Sequence, residues 1–202
     1  MRRIFIAGTD TNIGKTYVSI KLLQEFNERG LKTIGIKPVA TGAINGHNQD
    51  ALLLQQHSSI KLDYALINPF AFESPVSPNI AMLDLTVDKV WASLQTALNT
   101  KADIYIIEGV GGWLTPLNLL ETMDDLVKKF EDIEIILVVG IRIGCLNHAL
   151  LTYNTIKNAN LNIAGWIANI IDPNCLAINE NITTLKTYIN APCLRVIQYE
   201  YH

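Results

Sequence analysis

The most constraining feature of the sequence is GTDTNIGKT at residues 8–16, which follows a short apolar run and precedes an amphipathic stretch. A strand, a glycine-bearing turn and Gly-Lys-Thr at a helix start together present backbone N–H groups to phosphates. Lys15 is then placed to reach the β- and γ-phosphates of a nucleotide, and Thr16 to bind Mg²⁺. The first glycine is separated from Gly14 by five residues instead of the usual four. A tight turn with a surface lysine is the alternative interpretation.

Short apolar runs alternate with longer amphipathic stretches along the chain. The runs are rich in Ile and Val with little polar alternation, as expected of strands buried on both faces, and span 3–7, 33–39, 103–107, 134–139, 163–168 and 193–197. The helix-like stretches are 15–28, 49–57, 87–98, 122–130, 147–159 and 177–189. This alternation predicts a single-domain α/β fold with a mostly parallel central sheet and helices on both faces. The phosphate-binding loop after the first strand makes this fold P-loop NTPase-like. Residues 61–82 contain three prolines and break the pattern, so we expect an ordered loop that holds a partner or ligand.

Composition narrows the class of protein. The chain has 202 residues and a net charge of −3, which suits one domain and gives no general affinity for nucleic acid or anionic membranes. No run approaches the roughly 18 apolar residues of a membrane span, and the first apolar run is too short for a signal peptide. Cys145, Cys175 and Cys193 are widely spaced, as is typical of thiols in a reducing compartment. We therefore expect a cytoplasmic protein that binds neither nucleic acid nor membrane.

Polar residues follow the predicted strands at the edge where parallel sheets bind ligands. Lys37 follows the second run, and Glu108 ends the third before a glycine-rich turn. Asp50 begins a helical stretch and is either a helix cap or a metal ligand. Thr16, Asp50 and Glu108 would supply the oxygen ligands that Mg²⁺ prefers. Surface exposure of Lys37 and an ordinary turn at Glu108 are the alternatives.

Two further sites follow the later strands. Residues 139–148 read as a strand, a glycine turn and a helix start, which predicts a second anion site for a carboxylate or phosphate. His148 is either a first-turn helix residue or a catalyst. Asn169 ends the next strand, where its amide either reads a nucleobase edge or forms a turn.

In this order and spacing, the motifs resemble the dethiobiotin synthetase family. The resemblance runs from residue 3 to about 192, through GTDTNIGKT, KPVATG, NQDALLLQ, LDYALINPFAFESPVSPNI, EGVGGWLTPL, ILVVGIRIGCLNHALLT and GWIAN. It implies an ATP- and Mg²⁺-dependent ligase that inserts CO₂ (or bicarbonate) between the two amines of 7,8-diaminopelargonate. A carbamate, a carbamic-phosphoric anhydride and ring closure would then give dethiobiotin, ADP and phosphate.

The resemblance also implies roles for individual residues. Lys37 is the active-site lysine, with Lys15 opposite it, and Thr16, Asp50 and Glu108 hold Mg²⁺. Thr11 and Thr41 contact the diamine or its carbamate. The family forms homodimers with substrate at the interface, where the partner's turn receives the substrate carboxylate on Gly144, Cys145, Leu146 and Asn147. The nucleotide is bound by Asn12, Ile13, Gly14, Lys15, Thr16, Tyr17, Asp50, Glu108, Gly109, Val110, Gly111 and Asn169.

The sequence departs from the family pattern near its end. Gln198-Tyr199-Glu200 stand where the family has a Pro-Trp-Leu-like segment against adenine, and little sequence follows. We therefore expect ATP to be used with weak affinity or with tolerance of other bases. The role of Asp10 stays open. The alternative function is a nucleotide switch of the partitioning ATPase class. Such proteins commonly carry an extra lysine near the start of the phosphate loop, where this sequence has Thr9 and Asp10.

Overall fold

The computed structural model describes residues 1–199 and contains a six-stranded parallel sheet in the order β2-β5-β1-β6-β7-β8. A two-stranded parallel sheet, β3-β4, lies apart from it. The strands are β1 (Arg2–Gly8), β2 (Thr33–Ile36), β3 (Val39–Thr41), β4 (Phe70–Phe72), β5 (Ile104–Glu108), β6 (Glu134–Ile141), β7 (Asn162–Ile170) and β8 (Cys193–Ile197). The expectation of a mostly parallel α/β fold is confirmed.

Eight helices connect the strands within residues 1–199. They are α1 (Lys15–Glu28), α2 (Gln49–His57), α3 (Tyr64–Ile67), α4 (Pro78–Ala81), α5 (Val87–Asn99), α6 (Met123–Val127), α7 (Cys145–Asn158) and α8 (Ile178–Tyr188). α1 starts after Gly14, whose φ of 86° suits glycine, and it ends before Gly30, at φ 76°. No helix in this part of the chain is long and apolar enough to cross a membrane.

The central strands are buried on both faces, which explains their uninterrupted apolar sequences. Ile4 and Ile6 of β1 belong to the smaller core cluster, together with Val18 and Leu23 of α1. The alternate residues of β1, such as Phe5, belong to the larger cluster that includes residues of α5, α6, α7 and α8. Helices on both faces therefore hold the carboxyl ends of β1, β2, β5, β6 and β7 at one edge.

The sequence prediction was wrong in treating residues 33–39 as one strand. β2 ends at Ile36, and Val39 starts β3, which pairs with β4 instead of the main sheet. Pro38 has no N–H to donate to a sheet, so a continuous central strand is disfavoured at this point. The predicted loop at 61–82 contains α3, β4 and α4, so half of it is regular secondary structure. α6 is shorter than the predicted 122–130, and the other predicted boundaries agree with the structure to within two residues.

Candidate active site

The loop at residues 8–16 closes around the side chain of Lys15. Lys15 is only 6% exposed, and its Nζ donates a hydrogen bond to the carbonyl of Asp10 at 2.7 Å. A Cβ placed on Gly8 would lie 2.8 Å from Lys15 Cδ, so glycine leaves the space that the lysine side chain fills. The interpretation of Lys15 as a surface lysine on a tight turn is therefore wrong.

The electrostatics of Lys15 suit an anion-binding role. The pKa of its ammonium is lowered to about 8, mainly by burial and also by the nearby positive charge of Lys37. Glu108, Asp50 and Asp10 act in the opposite direction but do not restore the usual value. The positive charge of Lys15 is therefore only partly balanced by the neighbouring carboxylates, and a bound phosphate would supply further negative charge.

Lys37 forms a buried ion pair with Glu108 across the carboxyl edge of the sheet. Lys37 Nζ lies 2.6 Å from Glu108 Oε1 and 3.2 Å from Asp50 Oδ2, and it also donates to the Gly109 carbonyl at 3.2 Å. Lys37 is 4% exposed and Glu108 is fully buried. Burial lowers the pKa of Lys37, but the two carboxylates outweigh it and the net pKa is raised. Lys37 is therefore a charged, buried group and not the exposed lysine of the alternative interpretation.

Both oxygens of Glu108 are held by hydroxyl groups of α1. Thr16 Oγ1 donates to Oε1 at 2.8 Å, and Ser19 Oγ donates to Oε2 at 2.9 Å. Sequence reasoning missed Ser19, which is fully buried beside Val18 on the core side of α1. The spacing could have predicted its location, because a serine one turn after a phosphate-loop lysine lies on the same side of the helix as the lysine.

Thr16, Asp50 and Glu108 line one cavity and offer oxygen atoms, which are the ligand type that Mg²⁺ prefers. Within residues 1–199, no group of three or more His, Cys, Asp or Glu side chains could hold a metal ion. Mg²⁺ is usually bound by one or two carboxylates together with substrate phosphates, so a site with few protein ligands is compatible with this metal. Asp50 does not cap α2, because Asn48 is the N-cap and accepts the Ala51 N–H. The Asp50 carboxylate instead points to Lys37.

A cavity of about 370 Å³ brings many of the predicted site residues together. Gly109 lies beside it and contributes its carbonyl to Lys37. The residues that line the cavity are Thr11, Asn12, Gly14, Lys15, Thr16, Lys37, Ala40, Thr41, Asn48, Asp50, Glu108, Val110 and Gly111.

A second cavity of about 280 Å³ lies on the other side of the phosphate loop and shares Asn12 and Gly14 with the first. Asn169 lies in this second cavity, within β7 and not in a turn, and its Nδ2 donates to the Ile13 carbonyl at 2.8 Å. The Ile13 side chain is buried in the core, so only its main chain is available to the site. The remaining lining residues are Tyr17, Ile170, Ile171, Ile197, Gln198 and Tyr199. Glu200, which sequence analysis grouped with Tyr199, lies outside the described residues.

Residues 144–147, the predicted carboxylate site, do not line either cavity in this chain. Gly144 has φ 84° and precedes α7, Cys145 is buried, and His148 is exposed in the first turn. Arg142, just before this turn, forms an ion pair with Asp10. Asp10 also accepts the Thr11 N–H at 2.7 Å, so it braces the phosphate loop against the end of β6.

The fold and the loop around Lys15 define a P-loop nucleotide-binding protein. A family model described as an AAA domain matches residues 2–201. The ATP-dependent dethiobiotin synthetase BioD of Cellvibrio japonicus is 42% identical over 204 residues, which cover 97% of this chain and 89% of the relative. BioD 1 of Escherichia coli strain K12 is 43% identical, covering 98% and 91%. The chain therefore belongs to the ATP-dependent dethiobiotin synthetase family.

Similarity to solved structures extends to more distant proteins. The MinC:MinD cell division protein complex of Aquifex aeolicus matches with a TM-score of 0.61, over 99% of this chain and 82% of that one. Its sequence identity is only 15%, so this likeness reflects the shared fold. The much higher identity to the synthetases means that the comparisons do not favour the nucleotide-switch alternative.

Proposed function

We propose that the protein condenses 7,8-diaminopelargonate with CO₂ and ATP to give dethiobiotin, ADP and phosphate, in a reaction that depends on Mg²⁺. The observation that carries this proposal is the pair of buried lysines, Lys15 and Lys37, which line one cavity together with Glu108 and Asp50. The names of the relatives support the activity, and the family match over residues 2–201 supports one synthetase domain.

The chemistry divides into three steps. One amine of the substrate attacks CO₂ and loses a proton, which gives a carbamate. A carbamate oxygen attacks the γ-phosphorus of ATP, and the bond to the ADP oxygen breaks. The second amine then attacks the carbamate carbon and loses a proton, and the carbon–oxygen bond to phosphate breaks as the ureido ring closes. In this scheme the protein acts by positioning the reactants and by stabilising negative charge.

The residues of this chain supply that positioning and charge. Lys15 is placed to bind the transferring phosphoryl group, since its buried ammonium has a lowered pKa and gains from an added anion. Lys37 supplies a permanent positive charge to the carbamate side of the cavity. When bound between Thr16, Asp50 and Glu108, Mg²⁺ would neutralise charge on the ATP phosphates. We assign Thr11 and Thr41, which line the same cavity, to the diamine or its carbamate.

The nucleotide would extend from this cavity into the second one. Main-chain groups from Asn12 to Tyr17 would contact its phosphates, and Gly109, Val110 and Gly111 would line its other side. Asn169 is assigned to the base, because its Nδ2 is held by Ile13 and its Oδ1 can then accept from an amino group.

We further propose that two copies associate through an apolar surface close to residues 144–147. Leu114 and Leu151 line one cavity and are 50% and 60% exposed. Ile143, directly before the 144–147 turn, is 90% exposed. Large exposed apolar side chains that lie together are typical of protein interfaces. Gly144, Cys145, Leu146 and Asn147 of the second copy would then receive the substrate carboxylate. We place the enzyme in the cytoplasm, where its three thiols would stay reduced.

Incubation with ¹⁴C-bicarbonate, ATP, Mg²⁺ and 7,8-diaminopelargonate tests the function. We expect acid-stable label in dethiobiotin, and no acid-stable label when the diamine is omitted. Lys37→Ala should abolish the labelled product while ATP still binds. ATP hydrolysis without the diamine, accelerated by a protein or DNA partner, would instead support the nucleotide switch.

A further inference from the structure

The main chain of Lys37 is held by residues outside the cavity. Its N–H donates to the Ile67 carbonyl at 2.9 Å, and its carbonyl accepts from Asn68 Nδ2 at 2.7 Å. Lys37 follows the last residue of β2, so these bonds replace the pairing that a longer strand would have provided. The position of the lysine therefore depends on the end of α3.

Asn68 is fixed by contacts to all of its polar side-chain atoms. It is 3% exposed, and its Nδ2 donates to the Phe70 carbonyl at 3.3 Å as well as to Lys37. Its Oδ1 accepts a hydrogen bond from the Tyr64 hydroxyl at 2.8 Å. A buried amide whose oxygen and nitrogen are both hydrogen-bonded has one orientation. The location of the Tyr64 hydroxyl therefore affects the location of the Lys37 main chain.

Tyr64 connects this amide to the start of α2. Its hydroxyl accepts the N–H of Asn48 at 2.7 Å, and the side chain of Asn48 caps α2 and donates to the Thr41 carbonyl at 3.2 Å. Asp50 lies in the first turn of α2, and its Oδ2 is 3.2 Å from Lys37 Nζ. The contacts therefore form a closed ring that starts and ends at Lys37.

The chemistry of Tyr64 suits this place in the ring. Its hydroxyl must accept from one neighbour and donate to another, which phenylalanine cannot do. Burial raises the pKa of Tyr64 against the opposing effect of the Asn48 N–H, so the proton is retained at neutral pH. The ring of His47 packs against the Tyr64 ring with centroids 4.5 Å apart.

We propose that Tyr64 and Asn68 are positioning residues, which hold Lys37 at the distance from Asp50 and Thr41 that the reaction requires. This inference rests on the proposed synthetase function, because Lys37 is assigned there to the carbamate. The two residues touch no reacting atom in that assignment. They act through the main chain of Lys37 and through the cap of α2.

Tyr64→Phe tests the proposal, with Tyr153→Phe as a matched control. The Tyr153 hydroxyl also accepts a backbone N–H, from Asn190 at 3.2 Å, but it lies between α7 and the segment after α8. We expect Tyr64→Phe to lower kcat by about tenfold or more, because small displacements of a catalytic group have large effects. The KM for ATP should change much less than kcat, because Asp50 is the one nucleotide-site residue in the ring and the phosphate loop is not part of it. Tyr153→Phe should leave kcat unchanged, although it should lower the melting temperature about as much as Tyr64→Phe does.

A double substitution separates positioning from general stability. Asn68→Ala breaks the same ring, so adding Tyr64→Phe to it should cause little further loss of kcat. Additive losses, or equal losses in Tyr64→Phe and Tyr153→Phe, would overturn the proposal.

A crystal structure of Tyr64→Phe gives a readout that does not need activity. We expect a displaced Lys37 or a longer distance from Lys37 Nζ to Asp50 Oδ2, and an unchanged distance would overturn the proposal. If the parent chain forms no dethiobiotin, the proposed function fails. In that case the proposed effect of Tyr64 and Asn68 on this reaction fails as well. The crystal structure still tests separately whether Tyr64 fixes the position of Lys37.

Discussion

Lys37 Nζ and Glu108 Oε1 lie 2.6 Å apart in a site where neither side chain has appreciable access to solvent. Removing one member of such a pair leaves an uncompensated charge, which costs several kcal/mol. The same carboxylate also accepts from Thr16 and Ser19, so it joins α1, β5 and Lys37 in one polar cluster.

Glu108→Gln should destabilise the protein and remove the Mg²⁺ dependence of ATP binding. We expect the free energy of unfolding at pH 7 to fall by about 2–4 kcal/mol, with Asp50 still compensating part of the Lys37 charge. Urea unfolding measures this value, and Glu134→Gln is the control. Glu134 pairs with Arg2 at the opposite end of the sheet and is partly exposed, so its loss should cost about 1 kcal/mol or less. Equal losses in the two variants would contradict the prediction.

Lys15→Met should stabilise the nucleotide-free protein at pH 7 while abolishing ATP binding. The folded-state pKa of Lys15 is about 8 against a usual value of 10.5, so its charged form is disfavoured by folding. The cost is fully present below pH 8 and is relieved as the pH rises towards 10.5, with an upper limit on the order of 3 kcal/mol. The difference in unfolding free energy between variant and parent should therefore shrink from pH 7 to pH 10. A parent that is more stable than the variant at pH 7 would show that phosphate-loop contacts outweigh burial.

The ion pair of Asp10 with Arg142 should contribute little stability, whereas the Asp10 oxygen that accepts the Thr11 N–H should help to hold Thr11. Both side chains are about 40% exposed, so Asp10→Asn should change the unfolding free energy by less than about 1 kcal/mol. Asparagine keeps an oxygen for the Thr11 N–H, whereas Asp10→Ala loses this contact. We expect Asp10→Ala, and not Asp10→Asn, to raise the KM for the diamine. Identical KM values in the two variants would argue against a role in placing Thr11.

Selectivity for the nucleotide base should be modest. Tyr199 lines the second cavity, and an aromatic ring stacks on any base without selecting among them. Turnover with ATP, GTP and CTP at equal concentrations measures the selectivity. A preference for ATP of several hundred-fold would contradict the prediction. Tyr199→Ala should raise the KM for all three nucleotides by roughly tenfold, since stacking contributes about 1–3 kcal/mol.

The sequence was sufficient for the part of the site that follows strand ends and helix starts. Lys15 lies at a helix start, and Lys37 and Glu108 lie at the ends of strands, so a parallel sheet brings them to one edge. The break at Pro38 was missed because β2 and β3 read as one apolar run.

The contacts that hold Lys37 from outside the cavity could not be predicted from strand ends and helix starts. The bond from Asn68 to Lys37 spans 31 residues and follows no periodicity, and Tyr64 lies in a segment that looked like a loop. Such contacts depend on how α3 packs beneath the end of β2, which is a tertiary property. The proposed placement of residues 144–147 near a substrate would also require a second copy of the chain.

The proposed mechanism requires a carbamate oxygen to attack the γ-phosphate of ATP. This attack can be followed by mass spectrometry of the phosphate released with ¹⁸O-labelled CO₂ in unlabelled water, if the reaction is stopped before CO₂ exchanges with solvent. The attacking oxygen leaves with phosphate when the ring closes, so we predict one ¹⁸O atom in each phosphate, formed together with dethiobiotin. Phosphate without label, formed in equal amount with or without the diamine, would show attack by water and would contradict the synthetase mechanism.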